Sequence, residues 1–172
     1  MKKVFILILC LNLYTGFGQS DIFEIARSGT LIELISLTKI NNDTINSTNK
    51  RGDSPLVLAT YYGNNEVALY LAEHAKDINV QSKNGTPLIA AIYTDNKILA
   101  EGLLKHGADI EGKDSAGKTA IMYALIAKDI ELINLLLFHK ANTNVKDKNN
   151  YAVIDYAKQT GNEEIINLIR NN

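Results

Sequence analysis

The chain has 172 residues, 46% of them apolar and 22% charged, with a formal net charge of −1 from 18 basic and 19 acidic residues. That length holds about one domain, and the composition is globular, which excludes a disordered or collagen-like chain. No basic excess marks a nucleic-acid binder, and the single cysteine excludes an intramolecular disulfide and a cysteine zinc cluster.

Lys2 and Lys3 precede an apolar run from Val4 to Leu11, and Gly16-Phe17-Gly18 puts small residues where a signal peptidase reads. This is the pattern of a secretory signal peptide over residues 1–18, with Gln19 as the new N-terminus. The apolar run is shorter than the roughly 20 residues that a relaxed membrane span needs. Cys10 follows Leu9 rather than a small residue, so it does not read as a lipidation site. Cleavage leaves 16 basic against 19 acidic residues, a charge of −3, and no cysteine. Such a product suits an oxidising compartment. The expected destination is the periplasm or the outside of a bacterial cell, with no stable membrane insertion after cleavage.

From residue 20 onward the chain repeats itself. Gly52-Asp53-Ser54-Pro55-Leu56 is matched by Gly85-Thr86-Pro87-Leu88, by Gly117-Lys118-Thr119-Ala120-Ile121 and, more weakly, by Asn150-Tyr151-Ala152-Val153-Ile154. The spacings from Ser54 through Thr86 and Thr119 to Ala152 are 32, 33 and 33. A second register agrees: Ile45-Asn46, Ile78-Asn79, Ile110-Glu111 and Thr143-Asn144 recur at 33, 32 and 33. Later in each unit an apolar second-helix pattern recurs, as in Val67/Leu71, Leu99/Leu103 and Ile165/Ile169.

These motifs resemble those of ankyrin-repeat proteins, most closely at Thr86-Pro87-Leu88 and at His106-Gly107-Ala108-Asp109. Asp21 to Gly29 and Thr30 to Leu37 read as the two helices of a first, partial repeat. The resemblance implies an all-α repeat solenoid of about five stacked helix-turn-helix repeats with projecting β-hairpin loops. Its expected extent is 19–172, with repeats near 20–45, 46–78, 79–110, 111–143 and 144–172. Polar end repeats, carrying Glu24, Arg27, Glu33 and Lys39 at one end and Lys158, Glu163, Glu164 and Arg170 at the other, suggest a complete array.

Within each repeat the hydroxyls of Ser54, Thr86 and Thr119 are expected to cap the following helix. Pro55 and Pro87 fit the first helical turn, where a missing N–H costs nothing. Gly63 and Gly161 mark the turn into the second helix, whereas Asp95 and Lys128 replace them and are expected to weaken it. Asn84 is expected at the loop's usual glycine position, with one residue missing before Thr86. The polar runs 79–84, 111–116 and 144–149 read as the projecting loops.

Several tempting chemistries recede on inspection. His74, His106 and His139 are spaced by 32 and 33, but equivalent positions in stacked helices lie on the order of 10 Å apart. Zinc needs nitrogens at about 2.1 Å, so these histidines read as helix C-terminal residues. Gly112 to Thr119 matches the spacing of a phosphate-binding loop, but that motif belongs between a strand and a helix of a parallel sheet. No catalytic residue, cofactor or metal is expected, and the chain reads as non-enzymatic.

The resemblance implies a binding surface on the loop tips and the exposed turns of the first helices. Mapped here, that surface holds Arg51, Asp53, Tyr61, Tyr62, Lys83, Tyr93, Lys118, Ile126 and Tyr151, beside Gly85, Thr94, Thr160 and neighbouring positions. Tyrosine suits an interface because its ring buries area while its hydroxyl finds a partner. Tyr70, Tyr123 and Tyr156 read as core or near-core. The expected function is a protein–protein interaction module, monomeric alone, whose partner is another protein and not nucleic acid. Alternatives are an immunity or inhibitor protein against a toxic enzyme, a structural scaffold, and a host-directed effector.

Overall fold

A computed structural model describes residues 21–172. The expected signal peptide, Cys10 and Gln19 lie outside the described residues. Among those residues there are ten α-helices, arranged as five pairs. The first pair is α1 (Ile22–Ser28) and α2 (Leu31–Ile40), followed by a 3-10 turn at Asn42–Asn46. Then come α3 (Pro55–Tyr61) with α4 (Asn65–His74), and α5 (Pro87–Tyr93) with α6 (Lys97–Lys105). The last two pairs are α7 (Ala120–Ala127) with α8 (Ile130–Phe138), and α9 (Val153–Thr160) with α10 (Glu163–Arg170).

Short helices of this kind are marginal alone and take their stability from packing. The first helices stack in sequence, α1 on α3, α3 on α5, α5 on α7 and α7 on α9, and each packs against its own second helix. Leu56, Ala59, Leu88, Ala91, Ile121 and Ala124 are all buried on the stacked face. So are Val67, Leu71, Leu99, Leu103, Leu132, Leu136, Ile165 and Ile169 from the second helices, and the whole forms one continuous apolar cluster. The alanines let helices approach closely. Gly102 does the same between α4 and α6, since a Cβ there would stand 2.4 Å from the Leu69 side chain.

The caps follow the sequence in two repeats and depart from it in two. Ser54 and Thr86 accept the backbone N–H of Val57 and Ile89 at 3.1 and 3.3 Å. Thr119 was expected to do likewise but makes no such bond, and its buried hydroxyl has no partner. In the last repeat Ala152 has no hydroxyl, and Asp155 instead accepts the Ala152 N–H at 2.9 Å. The first pair adds a reciprocal cap between Thr30 and Glu33.

The turn between paired helices needs a left-handed residue in every repeat from the second onward. Gly63 and Gly161 supply it at φ +72° and +70°, and Asp95 and Lys128 adopt the same conformation at +53° and +57°. The turn therefore persists without glycine, at the cost of conformational strain.

The projecting loops carry isolated bridges, Ser82 with Gly85 and Lys146 with Ala152, and no strand among the described residues. Side chains close them instead. Asn49 Oδ1 accepts from the N–H groups of Arg51 and Asp53, and Asp114 Oδ1 from those of Ala116 and Lys118. Asp147 Oδ1 accepts in the same way from Asn149 and Tyr151. In the shortened third loop the left-handed residue is Gly85, at φ +109°, and not Asn84. Successive repeats are tied by a ladder: Asn46, Asn79 and Glu111 accept the N–H of Lys76, Asp109 and Asn142 at 2.7–2.8 Å. This ladder accounts for the second sequence register.

Candidate functional site

The first helices and the loop tips together form one face. On it α3, α5 and the three loops before α3, α5 and α7 enclose a groove of about 480 Å³. Arg51, Asp53, Tyr61, Tyr62, Lys83 and Tyr93, six of the residues expected at a binding surface, line it. Tyr61, Tyr62 and Tyr93 are exposed at 44%, 55% and 63%, far more than a core ring.

Tyr61 and Tyr93 occupy the same position, seven residues after the cap, in neighbouring repeats. Stacking the repeats therefore lays their rings side by side, 6.3 Å between centroids and 14° apart in plane. Tyr62 meets Tyr61 edge-on at 5.6 Å, and Tyr123 meets Tyr93 edge-on at 6.2 Å. Such separations fall within the range of favourable aromatic pairs. Cations extend the row at both ends. The Arg27 guanidinium lies 6.0 Å from the Tyr62 ring, and the Lys118 ammonium lies 5.7 Å from Tyr123 and 5.9 Å from Tyr156. Tyr151 continues the run, 6.3 Å from Tyr156.

Lys118 and Tyr151 thus lie on the same stripe but outside the groove. Ile126 is half exposed at the position equivalent to Tyr61 and Tyr93, and also lies outside the groove. Two neighbouring positions assigned to this surface differ from expectation. Thr160 is buried, its hydroxyl donating to the Ala157 carbonyl at 2.7 Å, and Gly85 is buried against Ile89 and Asp114.

Tyr156 is a core ring, whereas Tyr123 is half buried and forms one wall of the groove. The sequence carried a signal for this role: Asp114 and Tyr123, like Asp147 and Tyr156, stand nine residues apart. The Tyr123 hydroxyl donates to Asp114 Oδ2 at 2.7 Å. Burial, reinforced by that carboxylate, pushes the Tyr123 phenol up to about 12. The hydroxyl therefore stays protonated and keeps donating. Asp53 accepts from the Asn49 amide at 3.2 Å, so the two groove carboxylates both serve their own loops.

A model of ankyrin repeats, three copies, matches residues 22–114 and 103–172. The chain belongs to the ankyrin-repeat family. Ankyrin repeats are protein–protein interaction modules, and this array carries the aromatic groove on the face formed by its first helices and loops. Two of the three histidines serve helix ends through their rings: His74 Nδ1 and His106 Nδ1 each lie 2.8 Å from the carbonyl four residues earlier. The Gly112–Thr119 segment is the projecting loop that leads into α7 of the fourth repeat, with Gly117 left-handed at φ +81°.

Proposed function

We propose that this ankyrin array is a non-enzymatic module that binds another protein in the periplasm or outside a bacterial cell, and that the partner sits in the tyrosine groove. The observation that carries the reading is the exposed row Tyr62–Tyr61–Tyr93, which presents stacked rings to solvent on a concave wall. Rings already packed against one another have less freedom left to lose when a partner covers them. The groove's carboxylates support binding rather than catalysis, because Asp53 and Asp114 are engaged by their own loops. The pattern of residues 1–18 supports export.

The test begins with partner capture from the native cell-envelope fraction and continues with the purified pair. Tyr62→Ala combined with Tyr93→Ala is expected to leave the helical signal and melting behaviour close to the parent. It is expected to weaken partner binding by about tenfold or more, as loss of aromatic anchors does. Unchanged affinity in a folded double variant would overturn the surface assignment. Mass analysis of exported material checks the leader, and an intact Met1 terminus would overturn cleavage after Gly18.

A further inference from the structure

The position four residues after the helix cap is Leu58, Ala90, Tyr123 and Tyr156 in successive repeats. In the last two repeats a tyrosine fills the space between first helix and loop, its hydroxyl reaching back to Asp114 or Asp147 at 2.7 Å. Ala90 leaves that space open, and both Leu58 and Ala90 line the groove. Ser82 stands where the later repeats have Asp114 and Asp147: it likewise accepts the N–H two residues on, from Asn84 at 3.2 Å. The groove is thus the place where the array lacks the ring that its later repeats supply for themselves.

The charge around this opening is directional. Arg51 and Lys83 are exposed on its rim, and Arg27 and Lys118 sit over the tyrosines at its ends. The acidic groups are turned inward, Asp114 to two backbone N–H groups and Tyr123, and Asp53 to Asn49. Complementarity selects a partner that brings carboxylates. A single-stranded nucleic acid also combines negative charge with rings, but a continuous phosphate chain calls for a run of basic contacts, and the chain's net charge is −1.

We propose that the groove at Ala90 receives a tyrosine side chain from an acidic segment of the partner protein, with Arg51 and Lys83 engaging the flanking carboxylates. This rests on the reading of the groove as the protein-binding site and names the chemistry it selects. The inserted ring would stand as Tyr123 and Tyr156 do, against neighbouring tyrosines.

The experiment titrates the full chain with short end-blocked peptides and follows binding by NMR. The probes are Glu-Asp-Tyr-Asp-Glu, the same peptide with a central alanine, Lys-Lys-Tyr-Lys-Lys, and a deoxythymidine oligomer. The acidic tyrosine peptide is expected to bind saturably and to shift resonances around Ala90 and Tyr93. The alanine and lysine peptides are expected to bind about tenfold more weakly or worse, the scale of a lost hot-spot contact. Ser82→Asp with Ala90→Tyr, which rebuilds the pair of the later repeats inside the groove, is expected to abolish binding. Arg51→Glu with Lys83→Glu, confined to exposed loop tips, is expected to weaken it about tenfold and reads out the proposal even if the filled variant fails to fold. Absence of saturable binding, equal binding of the alanine peptide, indifference to the charge reversal, or tighter binding of the oligomer would each overturn the proposal. If Tyr62→Ala with Tyr93→Ala nevertheless releases the native partner, the groove remains a protein-binding site and only the tyrosine-and-carboxylate chemistry is wrong.

Discussion

Tyr123 donates its hydroxyl to Asp114 Oδ2 at 2.7 Å, and the same bond recurs one repeat later between Tyr156 and Asp147, also at 2.7 Å. Each aspartate spends one oxygen on loop N–H groups and the other on a phenol. The pair therefore locks a projecting loop onto its own first helix. The second and third repeats have Leu58 and Ala90 instead, and there the groove opens.

These locks make stability depend on pH at both ends of the scale. Burial and Asp114 hold Tyr123 up at about 12 against an ordinary 10, so folding favours the protonated phenol. Its contribution is complete below pH 10 and is lost as pH rises towards 12. Burial and Asp147 push Tyr156 up as well. Asp147 is held below its ordinary 3.8, chiefly by the Tyr156 hydroxyl with help from loop N–H groups. Its contribution is present above pH 3.8 and is lost as pH falls through the depressed value. Urea midpoints measured from pH 9 to 12 should fall less steeply for Tyr123→Phe with Tyr156→Phe than for the parent. Equal slopes would count against the phenol–carboxylate locks.

Thr119 and Thr86 should respond oppositely to the same change. Thr86 caps α5, so Thr86→Val is expected to cost about 1 kcal/mol. The Thr119 hydroxyl is buried without a partner, and an unpaired buried hydroxyl carries a desolvation penalty. Thr119→Val is expected to be neutral or to stabilise by up to about 1 kcal/mol. Denaturant unfolding of the two variants side by side decides it, and a comparable loss in both would show that Thr119 does cap its helix in solution.

Lys128 is one of two lysines with a left-handed backbone, beside Lys140 at φ +68°. It takes φ +57° where Gly161 takes +70°, and a lysine there bears a steric cost that glycine avoids. Glycine's larger freedom in the unfolded chain offsets part of the gain, so Lys128→Gly should stabilise by a few tenths to about 1 kcal/mol. Gly63→Ala should destabilise by about 1 kcal/mol, through conformation alone, since no atom lies within 4 Å of the added Cβ. Calorimetric melting of both variants is the check, with movement in the same direction as the contrary result.

The inter-repeat ladder helps hold successive repeats together. Asn79 Oδ1 accepts the Asp109 N–H at 2.7 Å across a repeat boundary. Asn79→Ala should lower stability by about 1 kcal/mol and speed hydrogen exchange at the Asp109 amide more than at helix amides of the same repeats. Uniform acceleration throughout the array would point instead to a global effect.

The sequence by itself determined the repeat period, the pairing of helices, the buried alanine and leucine faces and the caps at Ser54 and Thr86. Those features are local: they depend on backbone geometry within one turn or on a side-chain pattern repeated at fixed spacing. The resemblance to ankyrin repeats also marked Tyr61, Tyr62 and Tyr93 as surface residues, because it assigns them to the exposed end of a first helix. Only the tertiary structure decided that Thr119 leaves its hydroxyl unpartnered, that Asp95 and Lys128 accept a left-handed backbone, and that Tyr123 forms a wall of the groove. Each of these depends on how one repeat's side chains meet the next, so the volume beside Ala90 is set by rings and loops from other repeats. A period of about 33 residues specifies which residues face each other, whereas the sizes of the facing side chains specify what space remains between them.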